Sequence, residues 1–381
     1  MNHSPLVPLT RVVVDLTALS HNIKTIKSRC DRTVIFMAVI KADAYGHGAV
    51  QVAKTAVEAG AEFLGVARLN EAKTLRDAGI TAPILLFGSI LADQAEYAAA
   101  NDIRISVGDV DMARALSHQA PSTPLKIHIK LDTGMGRLGL ATGNPEDATE
   151  AALAIGRLPN LEVEGLYTHF ANADTPSPGP TLDQFEAFMA VRSRLDQAGH
   201  LPPICHAANS AATLTLPQTH LDMVRPGISM YGLSHSPNIS PEDDGLKRLM
   251  SIESKIIHLK KVDKGFPISY GSTYITPRAT TIATIPIGYG DGYRRFNSNK
   301  GIMLAGGKRA PVVGRVCMDL TMIDTGEIPG LKPGDPVIIM GKQGDDHLWA
   351  EELADLSHTV NYEVVASLTR RMPIHYIKPQ E

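Results

Sequence analysis

A chain of 381 residues is longer than one typical hydrophobic core organises, so two domains are the starting expectation. Its 44% hydrophobic and 20% charged residues are ordinary for a globular protein, and a formal net charge of −3 without a basic stripe excludes nucleic acid as the main partner. No apolar run reaches the roughly 18 residues that span a bilayer, so no membrane partner is expected. Three widely spaced cysteines, Cys30, Cys205 and Cys317, without a CxxC pair, suit a reducing compartment. Residues 1–10 lack a charged-then-apolar signal pattern, and the expectation is a cytoplasmic protein.

Taken in chain order, short apolar runs alternate with amphipathic stretches. The runs at 34–40, 63–66, 83–87, 104–107, 125–131, 163–169, 203–207 and 221–225 are rich in Val, Ile and Leu, as buried parallel strands are. Helical patterns lie between them at 49–59, 70–78, 93–100, 109–117, 146–157 and 181–198, with Gly60 and Gly79 as C-terminal caps. Eight alternating units predict an α/β fold, an N-terminal (β/α)8 TIM-type barrel; a doubly wound sheet is the alternative. The segment 234–245, rich in Pro, Asn and Ser, reads as a linker, and places a boundary between a barrel over 1–240 and a second domain over 241–381. Beyond it, β-branched runs at 251–262, 280–287, 309–316, 320–324 and 335–340 predict a mostly antiparallel β domain, closed by short helices near 351–356 and 362–371.

Barrel chemistry sits where strands end. Lys41 directly follows the first strand, an unusual place for a lysine unless it is functional; desolvation there lowers its pKa and suits covalent carbonyl chemistry. Tyr45, Gly46 and Gly48 follow in a loop shaped to meet an oxyanion. The fifth strand runs into Lys130 and then Gly134-Met-Gly136-Arg137-Leu-Gly139, literally GxGxxG; with the next helix starting only near residue 146, these glycines serve to turn Arg137 into a site rather than to bind a dinucleotide. His169 ends the sixth strand. Asn209 and Ser210 follow the seventh, as helix caps or a phosphate site. Arg225, Gly227 and Ile228 follow the eighth, where glycine lets backbone N–H groups approach an anion. These groups all fall on one face of the barrel.

No HExxH, P-loop or GxSxG motif occurs, and the histidines lack metal-ligand spacing, so no metal is expected. Asn238-Ile-Ser240 matches a glycosylation acceptor without meaning in a cytosolic chain. Residues 269–274, with Tyr270 and Tyr274, read as a β-hairpin.

The segments around Lys41, Lys130–Gly139, His169, His206–Ser210, Arg225–Leu233, Ser269–Tyr274, Gly288–Tyr293, Arg315–Asp319 and Asn361–Glu363 together resemble alanine racemase motifs, in that family's order and over nearly the whole chain. The resemblance implies a pyridoxal-phosphate enzyme that racemises alanine and supplies or consumes D-alanine, a peptidoglycan precursor. It further implies a homodimer in which each site takes a barrel from one subunit and a β domain from the other. Lys41 resembles the lysine that carries the cofactor. Tyr45, Ser210, Gly227, Ile228 and Tyr362 resemble its phosphate cradle, with Asn209 beside it. Arg225 resembles the arginine at the pyridine nitrogen, supported by His169. Arg137 resembles the residue near the cofactor's phenolic oxygen and the substrate carboxylate, and Met318 a backbone contact to that carboxylate. Tyr270 resembles the second catalytic base, donated by the partner. Lys130 matches a lysine that is carbamylated in many members.

Two bases on opposite faces meet the need of an inversion, because a single base returns the proton to the side it came from. The chain departs from the family pattern at Gly290, where alanine is usual in Gly-Tyr-Ala-Asp-Gly-Tyr, and at Ile374, where an arginine often follows the proline. Asn172, close to His169, is placed to tune side-chain selectivity. The rival readings are a broader amino-acid racemase, a diamino-acid decarboxylase, which uses an acidic residue where this chain has Arg225, and a non-catalytic cofactor-binding barrel, which lacks a β domain and a Tyr270 equivalent.

Overall fold

The computed structural model describes residues 8–119, 123–236 and 239–378; Asn238 of the glycosylation triplet lies outside them. The backbone divides into two compact units, one of residues 18–247 and one made of the chain up to residue 17 together with residues 248 onward.

In the first unit eight parallel strands follow in sequence: β1 Ile35–Val39, β2 Phe63–Val66, β3 Ile84–Leu86, β4 Ile103–Val107, β5 Leu125–Asp132, β6 Leu161–Tyr167, β7 Ile204–His206 and β8 Met223–Val224. Each of β1 to β6 pairs with the next, β6 pairs with β7, and β8 returns to pair with β1. Two backbone bonds bridge the seam between β7 and β8, Asp222 N to Cys205 O at 3.0 Å and Arg225 N to Ala208 O at 3.0 Å. The unit is thus a nearly closed TIM-type barrel. Strands β2 and β4 are buried at every position; β2 is accordingly an unbroken apolar run, while β4 buries Arg104 and Ser106 among its apolar residues. Met37, Phe63, Leu85 and Met223, from four different strands, form one packed cluster.

The second unit holds a seven-stranded sheet. Its path runs Lys308–Pro311, Ile302–Ala305, Pro336–Gln343, Met250–Lys255, Arg11–Asp15, Ile374–Ile377, with Asp346–Leu348 beside Pro336–Gln343. Pairing is antiparallel except between Arg11–Asp15 and Ile374–Ile377. A three-stranded antiparallel sheet (His258–Val262, Thr280–Ile285, Thr321–Asp324) and a hairpin of Pro267–Ile268 with Tyr274–Ile275 complete it, with short helices Ala350–Leu356 and Asn361–Ala366.

Three differences from the sequence reading have local causes. Arg11–Asp15, which the composition boundary put with the barrel, pairs through Val12–Val14 with both Met250–Lys255 and Ile374–Ile377 in the second unit's sheet. That pairing is non-local, and no composition shift marks it. The single run at 251–262 is two strands in two sheets, because Ile256 N bonds Asp335 O and Ile257 N bonds Thr284 O on opposite sides of the break. The helix Leu16–Lys27 was not anticipated, although Leu19, Ile23 and Ile26 are buried at helical spacing.

Candidate active site

At the end of β1 the chain turns left-handed. Ala42, Asp43, Ala44 and Tyr45 have φ of 52°, 55°, 54° and 53°, a conformation that costs L-residues about 1–2 kcal/mol each. Its neighbours hold it there. Glu71 Oε1 accepts Ala42 N at 2.7 Å, while Oε2 accepts Ala67 N at 2.8 Å and Arg68 N at 3.0 Å. Asp43 Oδ1 accepts Ala49 N at 2.8 Å. The His47 ring contributes Nδ1–H to the carbonyls of Ala44 (3.0 Å) and Tyr45 (2.9 Å). Strain so heavily supported is a mark of a functional segment, and Lys41 stands at its head.

Four cations, Lys41, Lys130, Arg137 and Arg225, converge from the ends of three strands, β1, β5 and β8. Lys41 is held below the ordinary lysine range, first by burial and then by the charge of Arg137, against the pull of Glu71. Lys130 is pushed down to about 8 by burial, then by Arg137 and Arg225. Arg225 is pushed down to about 10 by burial. Its guanidinium donates to His206 Nδ1 at 2.8 Å and to the carbonyls of Thr168 (2.8 Å) and Ala207 (2.9 Å). None of these acceptors is a carboxylate. His169 is drawn well below its usual value by burial and by the charges of Arg225, Arg137, Lys41 and Lys130, so its ring is neutral. Mutually repelling, desolvated cations of this kind suit an anionic ligand.

Asp132 shapes the loop that delivers Arg137. Its Oδ1 accepts the N–H groups of Gly134 (3.0 Å), Met135 (2.9 Å) and Gly136 (3.0 Å), and its Oδ2 accepts Arg137 N at 3.1 Å. Burial opposes its charge, but these four donors prevail and hold the carboxyl below its ordinary range. Gly139, at φ 126°, lies so close that a Cβ would sit 2.7 Å from Asp132 N. The next helix starts only at Pro145, so the GxGxxG string is a loop around a carboxylate and not a dinucleotide turn.

The ends of β7 and β8 meet in a small polar nest. Ser210 Oγ accepts Gly227 N at 2.8 Å and Ser229 N at 3.4 Å, which leaves its own proton to donate outward. Ser229 Oγ is buried without a hydrogen-bond partner. Asn209 Oδ1 caps the helix Ser210–Thr215 through Ala212 N at 3.1 Å. Ile228 opens a buried helical turn, Ile228–Tyr231. A Cβ at Gly227 would stand 2.8 Å from Tyr45 Oη, so only glycine lets that phenol reach the nest.

Tyr270, Met318 and Tyr362 belong to the second unit, and the other residues singled out from sequence to the first. Ser269, Gly271 and Ser272 around Tyr270 have φ of 63°, 70° and 48°, and Tyr270 itself is 72% exposed. Ser269 Oγ donates to Arg315 O at 2.6 Å, tying this turn to the segment that leads to Met318. Gly290 N donates to Met318 O at 2.9 Å. Arg371 explains the unusual glycine: a Cβ at Gly290 would stand 2.1 Å from its Nη1, while its Nη2 bonds Asp319 at 2.7 Å. Tyr362 lies in the helix Asn361–Ala366, where Glu363 pairs with Arg294 at 2.5 Å.

Sequence reasoning missed Glu71, His128 and Glu164. Glu71 carries only the ordinary signal of an acid in a helix's first turn. His128 and Glu164 are polar residues within barrel strands, and polarity in a buried run was the available cue. Among the described residues no group of three or more His, Cys, Asp or Glu could hold a metal ion, and no helix is long and apolar enough to cross a membrane.

Known proteins align with this arrangement along its length. Residues 14–235 match the family model "Alanine racemase, N-terminal domain" and residues 249–376 "Alanine racemase, C-terminal domain". An alanine racemase of Desulforamulus reducens is 45% identical over 366 residues, covering 96% of this chain and 98% of its own. One of Desulfosudis oleivorans is 43% identical over 371 residues, 95% of each. The structure of an alanine racemase from Clostridium difficile superposes with a TM-score of 0.93 at 36% identity, covering 99% of this chain and 98% of its own. That from Bacillus anthracis, with bound L-Ala-P, gives 0.91 at 39%, covering 98% and 96%. Matched over both domains by sequence and by structure, the chain belongs to the alanine racemase family.

Proposed function

We propose that this protein interconverts L- and D-alanine with pyridoxal phosphate, in the cytoplasm and as a homodimer. The observation that carries the reading is Lys41 at the head of a strained turn, with Lys130, Arg137 and Arg225 gathered at the same end of the barrel and Arg225 bonded only to neutral acceptors. The residues present fit the cofactor. The Ser210–Gly227–Ser229 nest, with an unpartnered buried hydroxyl and Tyr45 beside it, suits a phosphate. Asn209 orders that nest and Ile228 extends it, and Tyr362 is the residue that the family resemblance adds to the cradle.

Lys41 is the residue that would hold the cofactor's aldehyde carbon. When bound, pyridoxal phosphate supplies an electron sink that acidifies the α-proton of alanine. Arg225, an obligate donor, would hold the ring nitrogen and leave it unprotonated, with the neutral His169 nearby. Arg137 and the backbone at Met318 of the partner subunit would hold the substrate carboxylate. Lys41 Nζ takes the α-proton from one face, since its lowered pKa favours the neutral amine. Tyr270 of the partner subunit returns a proton to the other. The ligand-bound Bacillus anthracis relative supports alanine as the substrate.

Borohydride reduction of the protein loaded with pyridoxal phosphate, followed by peptide mapping, tests the assignment. A phosphopyridoxyl adduct on Lys41 is expected; an adduct elsewhere, or none, overturns it.

A further inference from the structure

Behind Arg225 a row of side chains crosses the barrel. Arg225 Nη1 meets His206 Nδ1 at 2.8 Å, His206 Nε2 meets His128 Nδ1 at 2.9 Å, and His128 Nε2 meets Glu164 Oε2 at 3.1 Å. Arg104 then clamps Glu164 through Nε at 2.9 Å and Nη2 at 3.1 Å, and also pairs with Asp102 at 2.7 Å. The groups come from β4, β5, β6, β7 and the end of β8, so the row spans five consecutive strand positions.

We propose that Glu164 is a positioning residue for Arg225: through His128 and His206 its carboxylate locks both rings in one tautomer and so presents a bare nitrogen lone pair to the Arg225 guanidinium.

The chemistry of the two ends forces this assignment. Arg225 can only donate, so His206 Nδ1 must accept and its proton sits on Nε2. That proton points at His128 Nδ1, which must then accept, leaving the second proton on His128 Nε2. Read from the far end, an ionised Glu164 can only accept, and it demands the same Nε2–H on His128. The two ends agree. A third proton has no place: protonating His128 at Nδ1 sets two donors against each other between the rings.

The surroundings are built to keep this state. Both histidines are fully buried, and burial lowers the pKa of each, which keeps them neutral. Burial alone would raise Glu164, but its bonds from His128 and Arg104 bring it to about 2, so it is ionised. The strands also make room for His128. The β5–β6 register shifts between Ile127 and His128, and a Cβ at Gly165 would stand 2.3 Å from His128 Nδ1. Tyr167 stacks on His206 with centroids 4.7 Å apart and planes 3° from parallel, which fixes the ring's orientation.

Without Glu164 the relay would have an arginine at each end. Arg104, freed, competes for His128 Nε2 as a donor, while Arg225 competes for His206 Nδ1. Both demands cannot be met by two neutral rings, so each ring populates both tautomers and Arg225 loses an acceptor for part of the time. Glutamine at 164 keeps an oxygen for His128 Nε2–H and preserves the single tautomer.

The inference rests on the reading of Arg225 as the group facing the cofactor ring only for its effect on the cofactor. The test is nitrogen-15 NMR of histidine-labelled protein loaded with pyridoxal phosphate, alongside the cofactor dissociation constant measured by absorbance. In the unsubstituted protein His128 and His206 should each show one neutral Nε2–H form near neutral pH; an Nδ1–H or charged form of either ring overturns the proposal without any variant. Glu164→Leu should mix the tautomers of both rings together and weaken cofactor binding about tenfold, the scale of one mispaired buried hydrogen bond. Glu164→Gln should keep one tautomer and bind within about twofold of the parent, because it makes the same bond. A single unchanged His206 tautomer in Glu164→Leu overturns the lock. Mixed tautomers with unchanged cofactor binding uphold the lock and reject the assignment of Arg225 to the cofactor.

Discussion

Glu71 and Ala42 are joined by a hydrogen bond of 2.7 Å from the Ala42 amide to the Glu71 carboxylate, and through it a helix outside the barrel holds the strained turn that follows Lys41. The other carboxylate oxygen is committed to Ala67 and Arg68. Removing the side chain therefore frees three backbone donors at once. Glu71→Ala should destabilise the barrel by about 1 kcal/mol, the net scale of a hydrogen bond whose donors water can still reach. Because the turn positions Lys41, kcat should fall by more than cofactor affinity does. Denaturant unfolding and steady-state kinetics on the same preparation check both halves; an unchanged kcat would detach Glu71 from Lys41.

Gly227 is needed for space rather than for a left-handed backbone. A Cβ there collides with Tyr45 Oη at 2.8 Å. Gly227→Ala should displace the phenol from the phosphate nest and weaken cofactor binding about tenfold, with thermal stability little changed. Titration of the cofactor-free protein with pyridoxal phosphate measures this. Gly227→Ala/Tyr45→Phe should bind no more weakly than Gly227→Ala alone, since both act on one contact.

Gly290 and Arg371 form a pair of the same kind. The methyl of Gly290→Ala falls where Arg371 passes on its way to Asp319, one residue from Met318. Gly290→Ala and Arg371→Ala should each raise KM for alanine a few-fold, the modest effect of one exposed ion pair, and leave kcat nearly unchanged. Combined, they should do no more than either alone. Additive effects would show that the two residues act separately.

His47 gives the fold a pH dependence of known sign. Burial holds its ring at about 4, below the ordinary value of 6.5. The unfolded chain therefore binds the extra proton first, so stability rises with pH through this range. The neutral ring's contribution is complete above 6.5 and is lost as pH falls from 6.5 towards 4. Denaturant unfolding of the parent and of His47→Gln across this window should show a shallower slope in the variant, by close to one proton. Equal slopes would mean that His47 is protonated in the folded state.

The barrel was legible because its signal is local. Buried parallel strands read as apolar runs, and eight of them alternate with helices that end at glycines. The residues after those strands were legible for the same reason, since a lysine, an arginine or a polar pair directly following an apolar run stands out. The left-handed turn was not legible: Ala42 and Ala44 disfavour positive φ and Asp43 alone tolerates it, while the bonds from Glu71, Asp43 and His47 that support the turn are seen only in the fold. Arg11–Asp15 was missed because its sheet partners lie more than two hundred residues away. The relay behind Arg225 was hidden because His128 and Glu164 look like defects in apolar strands until β5 and β6 are seen in register.

The central claim is that Lys41 moves the α-proton of alanine. It is tested most directly by incubating L-alanine with the protein and pyridoxal phosphate in D2O and separating the enantiomers by chiral chromatography with mass detection, alongside L-serine and L-arginine. The account predicts D-alanine carrying deuterium at Cα, little product from the other two, and none from Lys41→Ala. Absence of D-alanine, D-alanine without deuterium, or an active Lys41→Ala variant would contradict it.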